Sequence, residues 1–173
     1  MINSVLKPKF EWQQNEKGIY NFSVTYKGLS GKEWFNYFTS LGKYLTMDDK
    51  LILESDDFKP RPKGETDQVF LLSRESVTRK KFSNQSIRAE ARKRRYLRPS
   101  LELSCVLLDM ITDEDLSAIG IKKIINMHKG VILDGNPRLL DMHRYSGMKQ
   151  IAYYDLLDYC FPSNYAFAFL GPK

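Results

Sequence analysis

The last third of the chain alternates apolar and polar residues in short runs divided by turn residues, and no other feature restricts the fold as much. "IKKIINMH" leads through the turn-rich "LDGNP" to "RLLDMHRY", which the two residues Ser146 and Gly147 join to "MKQIAYYD"; a loop through Pro162 then precedes "YAFAFL". Period-two patterning with so short a connection predicts an antiparallel meander. The tight turn also sets its register: Tyr145 opposite Met148, His143 opposite Gln150, Asp141 opposite Ala152, with Arg138 in reach of Asp155. Leu140, Met142, Ile151 and Tyr153 then share one face. In "YAFAFL", Tyr165, Phe167 and Phe169 oppose the small Ala166 and Ala168, as in a strand packed on one side and closely covered on the other.

The segments before it read as a mixture of strands and helices. "KFEW", a turn over Asn15 to Gly18, and "IYNFSVTY" predict a hairpin. "SGKEWFNYFTSLGKYL" predicts an amphipathic helix, with Ser30 and Glu33 as a capping box and Trp34, Phe38, Leu41 and Leu45 at helical steps. If the ring-bearing face of this helix is wider than the sheet covers, the excess marks a partner surface. "KLILES" reads as a short strand, "DDFKPRPKGETDQ" as a loop broken by Pro60, Pro62 and Gly64, and "VFLLS" as a buried extended run. "LELSCVLLDMI" has an apolar length that suits strand or helix, and leans to strand. In "TDEDLSAIG", Thr112 and Asp115 repeat the capping pattern and Gly120 ends the helix. The fold class that results is α+β: a mainly antiparallel sheet made of the C-terminal meander and N-terminal hairpin, one packed amphipathic helix, and a projecting basic helix. A chain of 173 residues suits one domain over 1–173, with 79–98 a basic, peripheral or partly mobile segment.

That basic segment holds the positive surplus. Arg79, Lys80, Lys81, Arg88, Arg92, Lys93, Arg94, Arg95 and Arg98 face a single acid, Glu90, whereas the other 153 residues carry 18 basic and 20 acidic side chains. An ordinary solvated helix face mixes signs and gains from opposite pairs; like charges at these spacings repel, which points to a polyanionic partner. Its best helical register runs from about Ser83, as N-cap, to Leu97, with Pro99 as the stop. Only Ile87 and Ala91 supply an apolar stripe, so burial is not expected to hold it. Arg88, Arg92 and Arg95 fall on one face of that helix, Arg94 and Arg98 elsewhere, an arrangement suited to entering a groove. Tyr96 and Phe82 add rings for stacking on bases.

The leading expectation is therefore a nucleic-acid-binding protein, DNA or RNA, that contacts phosphates through Arg79, Lys80, Lys81, Arg88, Arg92, Lys93, Arg94, Arg95, Tyr96 and Arg98. One alternative is a protein-interaction module, inhibitor or scaffold, that docks the helix on an acidic partner. "RKRR" also has the composition of a nuclear-import signal. An anionic membrane fits less well, because an interfacial helix needs an apolar face. A second alternative, from a different class, is a small hydrolase or nuclease built on His128 and His143 with Asp134 and Asp141. Asp141 and His143 alternate on one strand and share a face, although the register sets Lys123 across from His143. The bland reading is two hydrogen-bonded histidines, and Asp134-Gly135-Asn136-Pro137 reads as turn chemistry. "ESDDFK", with Asp56 or Asp57 near Lys59, resembles a metal-dependent nuclease fragment but lacks a third ligand. No phosphate loop, dinucleotide fingerprint, zinc-protease or nucleophile-elbow motif occurs, so no cofactor and no metal are expected. Two cysteines without metal spacing, and no apolar run of roughly 18 residues, predict an intracellular protein of cytoplasm or nucleus, neither secreted nor integral to a membrane.

Overall fold

Strand order decides where the basic segment sits. A computed structural model describes residues 10–15, 17–77, 82–145, 148–153 and 160–172, with backbone alone for 143–145 and 148–153. The N-terminal half holds β1 (Gln13–Gln14), β2 (Tyr20–Thr25), α1 (Gly31–Ser40), α2 (Met47–Leu53), β3 (Thr66–Leu72) and α3 (Asn84–Lys93). There follow α4 (Glu102–Met110), α5 (Asp113–Ala118), β4 (Lys123–Asn126), β5 (Val131–Leu133), β6 (Asn136–Arg138), β7 (Leu140–Tyr145), β8 (Met148–Tyr153) and β9 (Tyr165–Leu170). The architecture is α+β, a seven-stranded and mostly antiparallel sheet in the order β1-β2-β3-β9-β4-β7-β8 beside a separate β5-β6 hairpin.

The predicted register of β7 against β8 is present residue for residue: Tyr145 pairs with Met148, His143 with Gln150 and Asp141 with Ala152. Lys123 stands across from His143. The connecting Ser146 and Gly147, and Asp155, the expected partner of Arg138, lie outside the described residues. The meander ends at β8. Rather than extending it, β9 lies between β3 and β4, antiparallel to the first and parallel to the second. Its side chains account for that place: Ala166 and Ala168 face one apolar cluster while Phe167 and Phe169 face another, and a strand buried on both faces belongs at the centre of a sheet.

On the first face, Trp34 and Phe38 of α1 pack with Ile52 and Leu53 of α2 and with Leu103, Val106 and Leu107 of α4 over Phe22, Val24, Val69 and Leu71. Two of these helices correct the sequence reading. "KLIL" is helical because Thr46 caps α2: its hydroxyl accepts from Asp49 N–H, and the Asp49 carboxylate accepts from Thr46 N–H in return. "LELSCVLLDM" is the helix α4, buried almost all round because it lies between the sheet and its neighbours, which erases the amphipathic period. Glu102 within it is fully buried and accepts from Trp34 Nε1 and from the backbone N–H of Arg61. The aromatic helix stops at Ser40 rather than Leu45, leaving Leu41 and Tyr44 half exposed beyond its end.

The second face is covered by α3, which does not project. Ile87 and Ala91 are buried against Leu72, Ile125 and Phe167 in the second cluster. Rings outside the helical period complete the contact: Phe82, just before the helix, meets Phe167 edge-on at 5.3 Å, and Tyr96, just after it, stacks on Phe70 at 4.6 Å. A stripe counted inside the helix alone omits both. Phe82, 3% exposed, is thus a core residue rather than a stacking platform.

Candidate functional site

Residues 83 to 98 build the candidate site from two capping events. Ser83 is the N-cap, as its sequence position predicts, accepting from Ser86 N–H while Ser86 Oγ accepts from Ser83 N–H. The helix then closes four residues earlier than Pro99 requires. Arg95 takes a left-handed conformation, φ 60°, and its N–H donates to Arg92 O while Tyr96 N–H donates to Ala91 O. This is the double hydrogen bond of a Schellman ending, with arginine where glycine is usual. From there the chain runs extended, and Leu97 exchanges two 2.9 Å hydrogen bonds with Leu170 at the end of β9.

The early closure redistributes the cations. Arg98, which an unbroken helix would turn away, returns beside α3, so that Arg88, Arg92 and Arg98 border one depression of about 150 Å³ together with Tyr96. Arg92, Lys93, Arg95 and Arg98 are exposed, and among the described residues they form no ion pair. Arg94 differs: it pairs with the buried Glu90 at 2.8 Å and reaches Ser76 O, which makes it part of the fold. Arg88 is steered by its Nε bond to Asn84 Oδ1. Arg79, Lys80 and Lys81 lie outside the described residues. Part of the charge has a structural use as well, since Arg92 and Lys93 in the last turn complement the helix dipole.

The candidate catalytic residues are dispersed. His128 lies two residues beyond the C-terminal end of β4, whereas the position of His143 is paired with Lys123 at its other end. The His143 side chain falls outside the description. His128 is buried and fully engaged: Nε2 accepts from Leu140 N–H at 2.8 Å, which places the proton on Nδ1 against Lys129 O. Burial above all, with the fields of Arg88 and Arg98, lowers its pKa from 6.5 to about 4. A neutral ring with both nitrogens bonded pins the end of β4 to β7 and has no lone pair to offer a substrate. Asp57 and Lys59 of "ESDDFK" do come to the same hollow as His128, of about 190 Å³. Asp141 is buried and ion-paired with Lys123 at 2.5 Å. Asp134 and Gly135, both with positive φ, form the two-residue turn between β5 and β6, as read from sequence, whereas Asn136 and Pro137, read as part of the turn, belong to β6 and pair with Leu133 and Ile132. Among the described residues no group of three or more His, Cys, Asp or Glu is placed to hold a metal ion, and no helix is long and apolar enough to cross a membrane.

Two buried titrating groups oppose one another. Burial, with Asp141 and Asp48 nearby, raises Asp49 from 3.8 to about 6 despite its bonds to Thr46, and Asp49 Oδ1 has no hydrogen-bond partner among the described residues. Acidification from about pH 6 to 3.8 therefore relieves Asp49. His128 works the other way: the stability it lends is complete above 6.5 and is lost as pH falls towards 4. The Asp49→Asn protein is expected to expose the histidine slope, losing on the order of 3 kcal/mol more than the parent between pH 6.5 and 4. Urea denaturation at a series of pH values measures it, and a profile parallel to the parent's would contradict the assignment.

Residues that sequence reading missed complete the depression. Met127 and Phe169 lie at its floor with Ala91. The alternation in "YAFAFL" put Phe169 on a face with Phe167, but nothing local told which element would cover it. Comparison with protein-family models, curated sequences and solved structures finds no match, so geometry alone carries the functional reading.

Proposed function

We propose that the chain binds nucleic acid through the cationic edge formed by the last turn of α3 and residues 95–98. The observation that supports this is convergence: Arg88 and Arg92 from the helix and Arg98 from the extended segment meet at one depression with an aromatic wall. Four exposed cations that make no ion pair among the described residues repel one another, a cost that phosphates reverse with release of counterions. The positive φ of Arg95 supports the same reading, because glycine would relieve the strain there and would remove a charge.

The test follows from which cations serve the fold. Replacing Arg92, Lys93, Arg95 and Arg98 together by Ala is expected to weaken binding to a mixed-sequence oligonucleotide by at least about 100-fold and to flatten the log–log salt slope by roughly 3, with the melting temperature nearly unchanged. Arg94 is left in place, since its loss strands Glu90. Arg95→Gly alone is expected to gain about 0.5–1 kcal/mol of stability while binding falls. Filter binding over a salt series reads the first effect and urea denaturation the second. Unchanged affinity in the fourfold variant would refute the proposal.

A further inference from the structure

We infer that the depression takes single-stranded nucleic acid, with a base against the Tyr96 ring and phosphates on its arginine rim. The assignment rests on the nucleic-acid reading above and narrows it. A helix that reads duplex DNA offers a protruding face to a major groove about 12 Å wide. Here α3 lies along the sheet with Ile87 and Ala91 buried, and the cations gather around a hollow at its C-terminal end instead of along a ridge. At about 150 Å³ the hollow is small, of a size with one planar ring system.

The chemistry of wall and rim points to the same ligand. Tyr96, half-buried at the edge of the hollow, presents a ring that gains nothing from a bare phosphate, while the arginines beside it disfavour a purely apolar guest. A nucleotide in a single strand supplies both parts, an uncovered base face and an adjacent phosphate. In a duplex the base faces are stacked away. The wall is also set in advance: Tyr96 is held by its stack on Phe70, at 4.6 Å and 23°, and its backbone by the Schellman ending on one side and the Leu97–Leu170 bridge on the other. Binding thus needs little ordering of the ring. Stacking of this kind tolerates any base and any sugar, so DNA and RNA single strands share the determinant.

Fluorescence anisotropy with the full chain at about 150 mM salt tests this, using four labelled probes of about twelve nucleotides: single-stranded DNA, single-stranded RNA, the blunt DNA duplex, and a single strand with the same phosphates but abasic sugars. Base-bearing single strands are expected to bind at least about tenfold tighter than the duplex and than the abasic strand. The DNA and RNA arms identify which sugar is preferred. Tyr96→Leu keeps apolar bulk against Phe70 and is expected to lose about tenfold for single strands with no change for the duplex, its fold verified by thermal melting. Duplex binding equal to or tighter than single-strand binding, or abasic binding as tight as base-bearing, would overturn the inference and leave the broader proposal standing. Absence of binding to all four probes would overturn both.

Discussion

Replacing Lys123 by methionine is expected to destabilise the protein by about 3–5 kcal/mol, the usual cost of stranding one member of a buried ion pair. Lys123 and Asp141 sit on adjacent antiparallel strands, the lysine opposite His143 and the aspartate two residues away on the same face, so the ammonium reaches the carboxylate diagonally at 2.5 Å. Both side chains are nearly excluded from water, the aspartate completely. Without the ammonium, a fully buried carboxylate loses its paired cation, which shifts the balance toward unfolding at neutral pH. The double variant Lys123→Met with Asp141→Asn is expected to recover more than half of the loss, because the buried carboxylate charge is then removed together with its cation. Urea denaturation of the parent, both single variants and the double closes the cycle. A loss under about 1 kcal/mol for Lys123→Met would show that the pair is solvated and Asp141 is available for other work.

The second large effect concerns Gly31. Alanine usually stabilises a helix relative to glycine, by about 0.8–1 kcal/mol. At Gly31, the first residue of α1, the sign reverses: a Cβ built there would stand 1.6 Å from the carbonyl oxygen of Leu53 and 2.4 Å from its carbon. Both atoms belong to the backbone that ends α2, so the two helices must separate to admit a methyl group. A cost of about 3 kcal/mol or more is expected, lowering the melting temperature by about 10 °C. Gly42→Ala is the control. Its φ of 70° is strained for alanine but nothing lies within 4 Å, and about 1 kcal/mol is expected. Equal losses in the two variants would contradict the close approach of α1 to α2.

What could be read ahead of the structure was what neighbouring residues encode. The pairing of Asp141 with Ala152 followed from a two-residue connection, and Ser30, Ser83 and Thr112 announced three helix starts through their hydroxyls. Thr46 and Asp49 carry the same signature, while the apolar "LIL" after them is too short for its period to tell helix from strand. In "LELSCVLLDM", Leu103, Leu107, Leu108 and Met110 are good helix formers and Val106 is the lone β-branched residue, a usable signal that the continuous hydrophobicity concealed. The place of β9 was not legible, because parallel pairing with β4 involves residues 42 apart with no turn between them to betray the register. The candidate site was legible as a list of arginines and not as a shape. Arg98 joins Arg88 and Arg92 only because Arg95 adopts a conformation that arginine seldom takes, and no local rule assigns φ 60° to it.

The central place of β9 also governs how the molecule can be assembled. Residues 20–72 can pair β2 with β3, and residues 123–153 can pair β4, β7 and β8, yet neither half has its inner neighbour until residues 165–170 have been synthesised. On the ribosome, β3 and β4 therefore emerge as two naked hydrogen-bonding edges and wait for the strand that joins them. Such long-range closure is slow, and in the interval each edge can recruit a strand from another nascent chain. A release that comes before Leu170 is made would leave two half-sheets in search of partners, which makes β9 the latch of the sheet.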